Sequence, residues 1–152
     1  MRLRNLLFDG SQAKVFTGVA NTASANATNL VAGVTMKTLN IPQGTSTTSA
    51  RVSNNIGGGV NFVNNTLLIS ITVSVITAPT GLPLIVNIKK GATYATAVSQ
   101  AIITIPIASK SAATATAISI LPGTYLFYDV TQVGTPQPGV GLSVTYAYYT
   151  GY

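Results

Sequence analysis

The sequence predicts an all-β fold: a single antiparallel β-sandwich of jelly-roll type, with about 7–8 strands and an extended N-terminal arm. Three observations carry this. Apolar residues recur with a period of two over most of the chain beyond residue 30, the signature of strands with one buried face. Clusters of Gly, Pro, Asn and Thr interrupt these runs at short intervals, as in sandwiches and jelly rolls. No window of useful length places apolar residues at the three- and four-residue spacing of a helix.

The elements follow in order. Gly33–Ile41 reads as a strand ended by Pro42-Gln43-Gly44, and Val60–Val63 as a short one. Leu67–Ile76 alternates cleanly, with Leu67, Ile69, Ile71, Val73 and Val75 expected inward and Ser70, Thr72 and Ser74 outward. Leu84–Lys89 directs Leu84, Val86 and Ile88 inward, with Asn87 and Lys89 outward. Ile103, Ile105 and Ile107 form the next run, where Pro106 on the opposite phase marks an edge strand or an interruption. Ala112–Ile120, Tyr125–Val130 and Val140–Tyr149 complete the set, the last with Val140, Leu142, Val144, Tyr146 and Tyr148 on one face. Turn signals separate them at Pro79-Thr80-Gly81, Lys90-Gly91, Leu121-Pro122-Gly123-Thr124 and Gly134 to Gly139. Residues 30–152 are thus the sandwich domain. Residues 1–29, small and polar after Phe16, form an arm that cannot bury much by itself.

At 152 residues a core that holds without disulfides is feasible. Hydrophobic residues make up 47% of the chain and charged residues 7%, far below the roughly 25% of ordinary globular domains. Hydroxyl and amide side chains must therefore coat the surface. Such a surface does little to keep monomers apart, which points to a subunit of an assembly. The net charge of +6 is dispersed, and only Lys89 and Lys90 are adjacent, so no specific nucleic-acid partner is expected. The basic start resembles a leader, but its apolar run, Leu6-Leu7-Phe8, is too short before Asp9. Leu67–Ile76 is half the length of a spanning helix and contains hydroxyls, so no membrane partner is expected.

The chemistry is sparse. There is no His, Cys, Glu or Trp, and Asp9 and Asp129 are the only carboxylates. General acid–base catalysis, nucleophilic thiols and clustered metal ligands are therefore disfavoured, and neither enzymatic activity nor a cofactor is expected. Glycoside hydrolysis, which commonly needs two carboxylates flanking one bond, has only that one pair to draw on. Asp129 reads as a structural hydrogen-bonding or ion-pairing group, because no second carboxylate or imidazole accompanies it. Gly57-Gly58-Gly59 is followed by no Lys-Ser/Thr pair and is not a phosphate loop.

Two groups of residues stand out as candidate contact sites. In the arm, Arg2, Arg4, Leu6, Leu7, Phe8, Lys14 and Phe16 are too apolar and basic for a purely solvating tail, and are expected to dock on a neighbouring subunit. Near the C-terminus, Tyr146, Tyr148, Tyr149 and Tyr152 offer large contact areas with polar tips. Packing in the core or at an edge, a subunit interface and glycan binding are all open to them.

The order of motifs adds a resemblance. Ala78-Pro79-Thr80-Gly81 precedes Leu84-Ile85-Val86-Asn87-Ile88-Lys89-Lys90-Gly91; then come Leu121-Pro122-Gly123-Thr124-Tyr125-Leu126-Phe127-Tyr128-Asp129-Val130-Thr131-Gln132-Val133-Gly134 and Pro138-Gly139-Val140-Gly141-Leu142-Ser143-Val144-Thr145. Over roughly residues 67–148 this resembles a β-sandwich module of tailed-bacteriophage virion proteins, found in capsid-decorating, head-fibre and tail-associated proteins. Asn87, Lys90 and Thr124 stand where the family pattern has Asp, Asn and Asp; each change removes a carboxylate or replaces a turn residue, which counts against a calcium site there. The resemblance implies a virion structural protein made in the host cytoplasm, with no active site of its own. A chain that is little more than one module and an arm suits a capsid decoration or cement protein. Its expected partners are the major capsid protein, other virion subunits and further copies of itself, with a trimer the expected state. The alternative is a tail- or head-fibre module that binds a host receptor or glycan.

Overall fold

The computed structural model describes residues 35–40, 44–45, 47–56 and 59–150. Among them are eight strands and no helix: β1 (Thr35–Asn40), β2 (Val60–Asn61), β3 (Thr66–Ser74), β4 (Leu84–Gly91), β5 (Val98–Ile105), β6 (Ser111–Ile120), β7 (Tyr125–Gln132) and β8 (Ser143–Thr150). They form two four-stranded sheets, ordered β1-β8-β3-β6 and β2-β7-β4-β5, with every pairing antiparallel. Only β4 and β5 are consecutive neighbours in one sheet; every other connection crosses to the opposite sheet. That alternation makes the sandwich a jelly roll.

The inner faces follow from the pleat. Leu84, Val86 and Ile88 of β4 point inward as their spacing predicts, alongside Leu126, Tyr128 and Val130 of β7 and Ile103 and Ile105 of β5. They meet Ile71 and Val73 of β3, Ile118 and Ile120 of β6, and Val144 and Tyr146 of β8. Each large side chain withdrawn from water in this way contributes roughly 1.5–3 kcal/mol. At the centre Tyr128 and Tyr146, one from each sheet, stack with centroids 6.3 Å apart, and their hydroxyls bond each other. This closes two polar groups that burial would otherwise penalise.

Three expectations are corrected. The register of β3 shifts between Leu68 and Ser70, so Leu68 is fully buried in place of Leu67 and Ile69, and the inward phase resumes at Ile71. Strand β5 ends at Ile105, before Pro106, and leaves Ile107 half exposed instead of inward. Residue Val140 precedes β8 and forms isolated bridges to Ser49 and Thr77.

Those bridges show how the segments that carry the resemblance sit in the structure. The backbones of Thr77 and Val140 exchange hydrogen bonds, and Thr80 N–H donates to Gln137 O at 2.9 Å while Thr135 N–H donates to Thr80 O at 2.8 Å. The two halves of the motif therefore clasp each other at one end of the sandwich. Gly81, at φ +70°, lies so close to the Thr135 carbonyl oxygen that a Cβ would overlap it.

The buried tyrosine pair makes a testable demand. Burial pushes the Tyr146 phenol up to about 12 and raises Tyr128 as well, whereas an unfolded tyrosine ionises near ~10. Above that lower value the unfolded state releases protons that the folded state keeps, so stability falls as pH rises. Replacing Tyr146 by Phe leaves the Tyr128 hydroxyl buried without this partner, at a cost of about 1–3 kcal/mol near neutral pH. Urea midpoints measured from neutral to alkaline pH should show that loss, together with a shallower alkaline decline in the variant.

Candidate functional site

The residues singled out from the sequence fall in three places. Arg2, Arg4, Leu6, Leu7, Phe8, Lys14 and Phe16 of the arm, and Tyr152, lie outside the described residues. Tyr146 is fully buried in the core and offers no surface, which corrects its candidacy as an interface or receptor residue. Tyr148 packs against the core with Phe62 edge-on at 5.4 Å. Tyr149, which alternates with it on β8, is 9% exposed and has a buried hydroxyl without a hydrogen-bond partner among the described residues.

A different cluster gathers around Asp129. On β7, Leu126, Tyr128 and Val130 face the core, so Tyr125, Phe127 and Asp129 lie on the outer face of the β2-β7-β4-β5 sheet. Asp129 is nevertheless only 3% exposed. Its Oδ2 meets Lys89 Nζ, from the facing strand β4, at 2.6 Å. Its Oδ1 accepts the Asn55 backbone N–H at 2.8 Å and the Tyr94 hydroxyl at 3.0 Å. Burial alone would push the carboxyl up, but these donors outweigh it and hold it below the ordinary carboxylate range. The Lys89 ammonium is raised, chiefly by its bond to Asp129.

Each donor arrives from a different element. Lys89 is on β4 and Tyr94 on the turn after it, where Thr93 and Thr96 bond each other's hydroxyls and backbone groups. Asn55 ends a segment that runs beside β7, bonded through Ser53 to Val130 and through Ile56 N–H to Tyr128 O. It sits at φ +49°, a left-handed conformation that asparagine tolerates. The outcome is an open pocket of about 320 Å³ lined by Asn55, Ala92, Thr93, Tyr94, Tyr125 and Phe127. Tyr94 stands edge-on to Phe127 at 5.7 Å, and the Lys89 ammonium lies 4.9 Å from its ring centroid.

Sequence reasoning read Asp129 as a hydrogen-bonding or ion-pairing group, but missed Asn55 and Tyr94. The legible signals were the outward phase of Lys89 and the isolation of Asp129, the one carboxylate of the domain. Among the described residues no group of three or more His, Cys, Asp or Glu could hold a metal ion. Asp129, with its charge answered by Lys89, is held as a structural centre and not as a free acid or base.

Replacing Asp129 by Asn removes charge-assisted hydrogen bonds and should destabilise the sandwich by about 1–3 kcal/mol at neutral pH. Because the folded carboxyl sits below its unfolded value of ~3.9, its contribution is present above that pH and lost as acid protonates it. Urea titrations should therefore show a steep acid loss in the native chain and a flatter one in the variant.

No family model matches this chain, and no curated protein matches it either. Among solved structures it is similar to the globular domain of zebrafish complement 1qA protein, at 12% identity and a TM-score of 0.44, over 79% of this chain and 98% of that one.

Proposed function

We propose that this chain is a bacteriophage virion structural protein that decorates the assembled head shell and stabilises it. The observation that carries the reading is the outer face that β3, β6 and β8 form in the β1-β8-β3-β6 sheet. On β3 it presents Leu67, Ser70, Thr72 and Ser74, on β8 Ser143, Thr145 and Ala147, and on β6 Ser111, Ala113, Ala115, Ala117 and Ser119. None of these residues is charged, and most are small. The centre of a protein interface is depleted of charge in the same way. The motif order shared with phage virion modules supports the same reading.

Such a subunit acts by mass action: it binds the assembled shell and not its dissociated parts, and so shifts the balance toward assembly. The major capsid protein and a second copy of this chain are the partners proposed for the charge-free face, with a homotrimer as the form that binds. The basic, apolar arm segment carrying Arg2, Arg4, Leu6, Leu7, Phe8, Lys14 and Phe16 is proposed to anchor it on a neighbouring subunit.

Shells assembled without the chain supply the test. Added full-length protein should bind them saturably, at a simple fraction of the capsid subunits, and raise the temperature at which they break open. A chain lacking residues 1–16, shown to be folded by circular dichroism, should fail to bind. Shells that ignore the full-length protein would refute decoration; undiminished binding of the shortened chain would refute the role of the arm.

A further inference from the structure

The pocket beside Asp129 lies on the outer face of the β2-β7-β4-β5 sheet, opposite the face of β3, β6 and β8 that the proposed function assigns to shell attachment. Its composition is specific. Phe127, 4% exposed, is the floor, Tyr94 a wall, and partly exposed Tyr125 the open platform, its ring tilted 33° to Phe127 at 6.2 Å. The exposed side chains of Asn55 and Thr93 stand at the rim with amide and hydroxyl groups. No ionisable carboxylate or ammonium lines it. The nearby Lys89 and Asp129 neutralise each other.

We infer that this pocket is a binding site for a neutral saccharide. A pyranose ring has an apolar C–H face and a rim of hydroxyls, which matches an aromatic platform edged by an amide and a hydroxyl. A volume of about 320 Å³ is at the small end for ligand sites and suits one or two sugar rings. The absence of a lining charge disfavours phosphorylated or carboxylated ligands, whose desolvation would go uncompensated. The walls are also fixed in advance. Tyr94 is held by its hydroxyl bond to Asp129, by edge contact with Phe127 and by the Lys89 ammonium, while Asn55 is held through its backbone. Preorganisation of this kind reduces the ordering cost of binding.

The test uses the full chain on an array of neutral and sialylated oligosaccharides, followed by calorimetry with the neutral glycan that binds best. Neutral glycans should be retained, with an affinity unaffected by added salt. Tyr125→Ala should weaken binding at least tenfold. Asn55→Gly, which keeps the left-handed backbone and removes the amide, should also weaken it while leaving thermal unfolding almost unchanged. Retention of only charged glycans, retention of none, or binding indifferent to both substitutions would overturn the assignment.

Discussion

A carboxylate that is 3% exposed must have its charge answered from within the protein, and much of this molecule's outer architecture is organised by that requirement at Asp129. Its three donors come from a strand, the turn that follows it and a distant loop, all far from Asp129 in sequence. Satisfying one buried group therefore ties β7 to β4, fixes the turn that carries Tyr94, and brings Asn55 alongside. In a chain with so few charges no other described residue offers a comparable anchor. The aromatic pocket exists because the residues that satisfy Asp129 surround Tyr125 and Phe127.

The rest of the sandwich is built from the opposite material. Its two sheets join over aliphatic side chains and one stacked tyrosine pair, whose hydroxyls satisfy each other where water does not reach. Outside, the two faces differ in kind. The outer faces of β3, β6 and β8 show mainly hydroxyls and methyl groups without charge, while the other sheet carries the ion pair and the pocket. In the proposed function the neutral face serves attachment and the preformed pocket recognition.

Much of this was legible in the sequence, for physical reasons. Period-two patterning reports burial directly, so the inward face of β4 and the run through Ile103 and Ile105 followed from it. It fails where the pleat is broken. The shift near Ile69 moved Leu68 into the core because a bulge changes the phase without changing the composition. Similarly, Val140 belongs to a clasp of isolated bridges and not to β8, since the turn geometry around Gly139 and Gly141 is set by contacts with Thr77 and Ile76. Tyr146 and Tyr148 share a phase, yet their neighbours decide that one is sealed in the core and the other only partly covered. The pocket was least legible. Asn55 and Tyr94 sit in loops without periodic pattern, and only the long-range bonds to Asp129 bring them together.

The most direct test of shell decoration is the copy number of this chain in purified virions, measured by quantitative mass spectrometry against the major capsid protein. A decorating subunit should be present at a ratio near one or at a simple fraction of it. A ratio of a few per cent or less, or absence from the particle, would contradict decoration, and the low ratio would move the protein to a tail or vertex.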